Sequence, residues 1–207
     1  MNSVPTIKHW GLGFDDSSTG SQRTFRAIFA AMVHPGQIVT IHENPDAPDV
    51  FNSASAATCL TLLDYETPVW TDVDWISPAI SWLQFDCESS VVTEPCMANF
   101  AIVTKPASMP DLDCFRVDRY EYHEKATTMI IQVDDILPRA DNKYSNIFFE
   151  KAAQLELKGV PDKFWDRWQY LSGLYPLDID ILFTCDDVLI ALPKINKEEG
   201  TFDFEVY

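Results

Sequence analysis

The last third of the chain constrains the fold most. Two apolar runs, Asp178 to Thr184 and Val188 to Pro193, flank the acidic pair Asp186-Asp187. Two strand-like runs around a two-residue turn predict an antiparallel hairpin. A further apolar run, Met129 to Val133, predicts a buried strand. The chain therefore contains a sheet with at least one antiparallel pair.

Helical patterns alternate with strand patterns in the first half. We expect Ser21 to cap a helix that ends at Pro35-Gly36. Its apolar residues fall at helical spacing, namely Phe25, Ile28, Phe29 and Met32. The segment Asn52 to Leu63 predicts a second helix. Ser77 as a cap and Pro78 in the first position predict a third helix, over Asp74 to Leu83.

The remaining segments complete a layered pattern. Extended runs are expected at 37–42, 68–70, 83–87 and 98–103, and a helix is expected over 161–171. Ser145 to Leu157 suits either strands or a helix. Helical and strand patterns alternate in the first half of the chain, and strands dominate its end. This order favours an α/β layered sandwich with a mixed β-sheet flanked by helices. We expect residues 1–20 to form an irregular N-terminal arm and residues 21–207 to form a single domain.

The charge of the chain excludes several partners. With 15 Lys and Arg against 32 Asp and Glu, the net charge is −17, which repels nucleic acid and anionic membranes. No apolar run approaches the roughly 20 residues of a membrane helix. The five cysteines form no CxxC pair, and the N-terminus lacks an export signal, so we expect a cytoplasmic protein with no metal site.

Motifs of common enzymes are missing from the sequence. There is no GxSxG elbow and no glycine-rich phosphate loop. One basic cluster, formed by Arg23, Arg26 and His34, runs against the acidic trend. It suits an anion site near the helix N-terminus, a solvated helix face or a protein interface, and these alternatives stay open.

Three blocks of residues stand out together. The first consists of Gln22, Phe25, Arg26, Ala31, Met32, Pro35 and Gly36, and the others are Thr58 to Trp70 and Tyr175 to Pro193. In order and spacing these blocks resemble the PhnH family, the H subunit of carbon–phosphorus lyase. A Gly-Pro-Gly turn of the family is replaced by residues 148–153, so the chain resembles a divergent member.

The resemblance implies a fold like that of pyridoxal-phosphate transferases, without that cofactor. It implies an accessory subunit in a core complex with G, I and J subunits, which degrades alkylphosphonates such as methylphosphonate through an ATP-dependent step. It further implies a homodimer when the chain is alone. No cofactor is expected, because no cofactor lysine motif and no cluster-binding cysteines are present.

Two other roles remain as alternatives to the accessory subunit. One is an enzyme subunit that contributes residues to the phosphonate and ATP transfer step, and the other is a phosphonate- or nucleotide-binding module. The candidate residues for anion binding or an interface are Gln22, Arg23, Arg26 and His34. For partner contacts we expect exposed aromatic residues at Trp165 and Trp168 and in the region of Trp75 and Trp82.

Overall fold

A computed structural model describes residues 13–14, 16–115, 126–138, 155–174 and 179–192. The described helices are α1 (Ser17–Val33), α2 (Ser53–Leu62), α3 (Pro78–Phe85) and α4 (Asp162–Leu174). The described strands are β1 (Val39–Thr40), β2 (Val69–Thr71), β3 (Phe100–Val103), β4 (Thr128–Gln132), β5 (Asp135–Pro138), β6 (Leu155–Lys158), β7 (Ile181–Cys185) and β8 (Val188–Leu192). Three short 3₁₀ turns lie at 95–97, 106–108 and 112–114.

The predicted hairpin is confirmed and forms the middle of the main sheet. β7 pairs with β8 in antiparallel register, from Ile181 opposite Leu192 to Cys185 opposite Val188. Asp186 opens the connecting turn at φ 49°, in the left-handed region that Asp tolerates better than most residues. Every residue of β7 is buried, which explains why the run has no polar face.

Six strands make up the main sheet in the order β1-β8-β7-β4-β3-β2. β2, β3, β4 and β7 run parallel to one another, and β8 runs antiparallel to both of its neighbours. The predicted mixed sheet is therefore confirmed. β5 and β6 form a separate two-stranded antiparallel sheet.

Helices cover both faces of the main sheet and produce three layers. Successive residues of β4 point to opposite faces, so Ile130 joins the core beneath α1, α2 and α3, while Met129 and Ile131 join the core beneath α4. On the α4 side, the rings of Phe164 and Phe183 meet edge to face with centroids 6.0 Å apart. Burial on both faces accounts for the apolar composition of the central strands.

Polar contacts fix the beginning of α2 to the carboxyl ends of β4 and β7. The Asn52 side chain caps the helix by accepting a hydrogen bond from the Ser55 backbone N–H at 2.8 Å. The Ser55 hydroxyl bonds to that of Thr184 at 2.6 Å, and both residues are buried. The Asn52 N–H also donates to the Gln132 side-chain oxygen at 2.6 Å. These bonds set the position of α2 along the sheet.

Several predicted boundaries are wrong. α1 begins at Ser17 with Asp16 as its cap, not at Ser21, so residues 17–20 belong to a helix rather than to an irregular arm. Hydrogen bonds from Thr19 and Ser18 lower the pKa of the Asp16 carboxyl, so this cap weakens as the pH falls through that pKa. The extended run predicted at 83–87 is also wrong, because α3 continues to Phe85.

Other predictions meet the structure only in part. Ser77 caps α3 and Pro78 occupies its first turn, as predicted. The predicted second helix is present as α2, and the structure adds that Asn52 is its cap. In the ambiguous segment Ser145 to Leu157, the last residues belong to strand β6, and the others lie outside the described residues. No helix among the described residues has the length and apolar character to cross a membrane.

Replacing either of two buried threonines by valine should change the free energy of unfolding, but in opposite directions. Thr184→Val removes the partner of the Ser55 hydroxyl, so we expect a loss of about 1–3 kcal/mol in the free energy of unfolding. The Thr24 hydroxyl in α1 is buried and has no hydrogen-bond partner in the described part of the chain, so Thr24→Val should raise that free energy by about 1 kcal/mol. Urea denaturation measures both changes. A change of the same sign in the two variants would contradict this account of the core.

Candidate interaction surface on the first helix

The buried face of α1 consists of small or medium side chains. Gly20, Thr24, Ile28 and Ala31 are buried, and their spacing of three or four residues places them on one side of the helix. A Cβ atom at Gly20 would lie 2.8 Å from the Phe14 side chain, so glycine allows the close approach at this point. α1 packs through this face against α2, β1 and β8.

The outer face of α1 carries two exposed phenylalanines. Phe25 and Phe29 are 53% and 51% exposed, and at a spacing of four residues they are neighbours on the helix surface. Gln22 and Arg26 are exposed beside them. We call these four residues the α1 surface. The sequence predicted one apolar face containing Phe25, Ile28, Phe29 and Met32. Of these, Ile28 is buried and Met32 partly buried, whereas both phenylalanines are exposed, because the helix packs through its small residues.

The basic cluster does not converge on one point. Arg23 forms an ion pair with Glu43, with 2.6 Å between Nε and Oε1, and this hydrogen bond raises the pKa of the Arg23 guanidinium. His34 is exposed at the C-terminal cap, eight residues after Arg26 and thus about 12 Å farther along the axis. Gln22, Arg23 and Arg26 therefore share α1 and His34 follows it, but of the four only Gln22 and Arg26 lie with the phenylalanines.

Two concavities lie away from α1, beside α4. One, of about 250 Å³ including open solvent, is lined by residues that include Met109, Leu112 and Arg167. The other, of about 330 Å³, is lined only by apolar residues, among them Leu157, Trp165 and Phe183. Neither contains a candidate residue of the basic cluster. In the described part of the chain, no three His, Cys, Asp or Glu residues are grouped closely enough to hold a metal ion.

The predicted aromatic contact residues divide into buried and exposed ones. Trp82 and Trp168 are buried, so their prediction as contact residues is wrong. Trp168 lies parallel to Phe164 in the core, with ring centroids 6.4 Å apart. Trp165 is partly buried and packs against the same core. Of these four tryptophans, Trp75 is the exposed one, at 53%.

The sequence did not predict the exposed apolar patch on α1, because helical periodicity does not show which face of the helix packs against the core. Gly20, Thr24 and Ala31 carried the signal that could have revealed it, since small residues at this spacing allow close packing. With exposed aromatic rings next to a glutamine and an arginine, the outer face has the composition of a protein interface. The described residues thus define an α/β protein with a candidate docking helix.

Comparison with known proteins identifies the family. The family model described as "Bacterial phosphonate metabolism protein (PhnH)" matches residues 12–198. The chain belongs to this family. It is also 28% identical over 192 residues to the alpha-D-ribose 1-methylphosphonate 5-triphosphate synthase subunit PhnH of Rhizobium meliloti (strain 1021). That alignment covers 90% of this chain and 94% of the relative. The resemblance seen in the sequence is confirmed.

The five cysteines provide a test of the described geometry. Cys59, Cys87 and Cys185 are buried, and burial raises the pKa of each thiol, whereas Cys96 and Cys114 are exposed. Because the thiolate is the reactive form, we expect a disulfide reagent at pH 8 to label Cys96 and Cys114 rapidly. The other three should react only after unfolding in urea. Rapid labelling of Cys59 in the native protein, detected by peptide mass spectrometry, would contradict the burial of α2.

Proposed function

We propose that this protein is an accessory, non-catalytic subunit of the carbon–phosphorus lyase core complex, which degrades alkylphosphonates. In this role it supports the ATP-dependent formation of a ribose triphosphate phosphonate. Its partners are the G, I and J types of subunit, its compartment is the cytoplasm, and it is a homodimer when alone. Membership of the PhnH family and the name of the relative from Rhizobium meliloti support this assignment. A likeness of the fold to pyridoxal-phosphate transferases is part of the proposal.

The observation that carries the accessory role is the α1 surface. Phe25 and Phe29 expose about half of each side chain on a regular helix that the core holds on its other face. Aromatic residues and arginine supply most hot spots of protein interfaces. Arg23, by contrast, forms an ion pair with Glu43. One of the few cationic hydrogen-bond donors that an anion site would need is therefore already paired.

Substitution of the two phenylalanines tests the contact. In Phe25→Ser/Phe29→Ser, folding should persist, with a thermal midpoint within about 2–4 °C of the wild type, because both rings are half exposed. We expect affinity for the co-expressed G, I and J subunits to fall at least about 30-fold, since an aromatic hot spot contributes about 2 kcal/mol. Size-exclusion chromatography with light scattering and titration of the purified subunits measure the change.

A matched control is Tyr170→Ser on α4, where another aromatic side chain is 55% exposed. This variant should join the complex like the wild type. Unchanged assembly of the Phe25→Ser/Phe29→Ser variant would contradict a role for the α1 surface. Failure of the wild-type chain to bind any of these subunits would contradict the accessory function itself.

Nucleotide binding separates this proposal from a binding module or an enzyme subunit. Those roles require a basic pocket, for which Arg23 and Arg26 are the obvious donors. We expect isothermal titration of the isolated chain with ATP to give no micromolar affinity, both in the wild type and in Arg23→Ala/Arg26→Ala. Micromolar binding that disappears in the double variant would favour the binding module.

A further inference from the structure

A second exposed apolar surface lies at the other edge of the sheet. Nine large hydrophobic side chains are exposed among the described residues, and five of them fall within residues 65–97. These five are Tyr65, Trp75, Ile76, Phe85 and Met97. Ile76 is 90% exposed, Tyr65 76% and Phe85 72%. Exposed apolar side chains mark an interaction site when they share one surface, whereas isolated ones are ordinary, so their positions in the fold decide the matter.

Helix α3 and the loops beside it bring these side chains to one edge. Ile76 precedes the cap of α3 and Phe85 is its last residue, so the two lie about 13 Å apart along the helix. At the amino ends of β2 and β3, hydrogen bonds join three loops. The Ser89 hydroxyl donates to the Thr67 carbonyl, and the Asn99 N–H donates to the Pro68 carbonyl at 2.8 Å.

Those hydrogen bonds join the loops that carry three of the exposed residues. Tyr65, Phe85 and Met97 are each within four residues of a bonded position in one of the loops. The loops with Tyr65 and Met97 therefore lie at the end of α3 that carries Phe85, while Trp75 and Ile76 precede the other end. We call the five exposed side chains and the acidic residues between them the α3 surface.

The charge of the α3 surface is entirely negative. From residue 43 to residue 104 the chain contains no Lys, Arg or His. Residues 64–97 contain the acidic side chains Asp64, Glu66, Asp72, Asp74, Asp86, Glu88 and Glu94. Asp64, Glu66, Asp74, Glu88 and Glu94 are exposed, and none of these five makes an ion pair with another described residue. Exposed apolar groups are thus surrounded by carboxylates without counter-charges from the described part of the chain.

This charge pattern selects the occupant of the surface. In a symmetric dimer built on the α3 surface, each acidic residue would face the same set of acidic residues on the second copy. Like charges in an interface oppose association, so a second copy is disfavoured. A head-to-tail contact between the α3 surface of one copy and the α1 surface of the next would not close into a dimer. A different protein with basic residues is the complementary partner.

We propose that the α3 surface docks a different protein chain, whose contact surface is apolar and ringed by lysine and arginine. This inference rests on the proposed function, because the G, I and J types of subunit are the partners used to test it. α1 packs at the β1 and β8 edge of the sheet. The segment that follows α3 pairs with β2 at the opposite edge, through the bridge between Val69 and Val91. The two surfaces therefore lie at separate places. The chain then joins two partners, or two parts of one partner.

Two variants separate the apolar and the electrostatic contributions. The first is Ile76→Ser/Phe85→Ser, and the second is Glu66→Gln/Glu88→Gln/Glu94→Gln, which keeps side-chain size and removes three charges. The full-length variants are titrated with the purified G, I and J subunits at 50 and 300 mM NaCl. Tyr170→Ser is the control, and circular dichroism verifies that each variant is folded.

We expect the apolar variant to bind at least tenfold more weakly at both salt concentrations. The charge variant should bind at least tenfold more weakly at 50 mM NaCl, with a flatter salt dependence than the wild type. Wild-type affinity in both variants, together with loss of binding in Phe25→Ser/Phe29→Ser, would overturn this inference and leave the proposed function intact. No complex with the wild-type chain would overturn both. A dimer of the isolated chain that dissociates in Ile76→Ser/Phe85→Ser would show that a second copy is the occupant, and would also overturn the inference.

Discussion

The burial of β7 on both faces is the constraint on which the rest of the structure depends. All five residues of this strand are buried, between β4 on one side and β8 on the other. Leu182 faces the helices α1, α2 and α3, and Phe183 faces α4. A strand of this kind requires a layer of helices on each side, because its apolar side chains point both ways. The same strand also supplies Thr184 and, at the following turn, Asp186, which position α2.

Positions of the helices follow from that central strand and leave two surfaces uncovered. α2 lies over β4 and β7, and α1 packs against it toward β8 and β1. Among the described residues, no layer lies above the outer face of α1, although it carries Phe25 and Phe29. At the far edge, α3 leaves Ile76 and Phe85 exposed among carboxylates. In an acidic protein, apolar surface at two edges is the physical basis of a subunit that contacts other chains.

Local chemistry predicted the elements that depend on local signals. The acidic turn at Asp186-Asp187 and the Ser77-Pro78 pair each act within a few residues, and both were predicted from the sequence. The start of α1 was missed because Ser21 and Asp16 both suit a helix cap, and the choice between them depends on packing against Phe14. Periodicity also placed Phe25 and Phe29 on an apolar face without showing that solvent covers it.

The sequence placed the candidate residues on one helix but did not show their arrangement. Gln22, Arg23, Arg26 and His34 do lie on or directly after α1, as the sequence indicated. Only the fold shows that Glu43, twenty residues later, pairs with Arg23. Trp82 and Trp168 illustrate the same limit, since tryptophan fills a core as readily as an interface.

Hydroxyl-radical footprinting of the assembled complex tests the central claim, that a partner covers the outer face of α1. The oxidation of Phe25 and Phe29 is compared between the free chain and the complex with the G, I and J subunits, with Tyr170 as the exposed reference on α4. The account predicts that both phenylalanines are protected in the complex while Tyr170 is oxidised equally in both states. Equal oxidation of Phe25 and Phe29 in the free and assembled protein would contradict it.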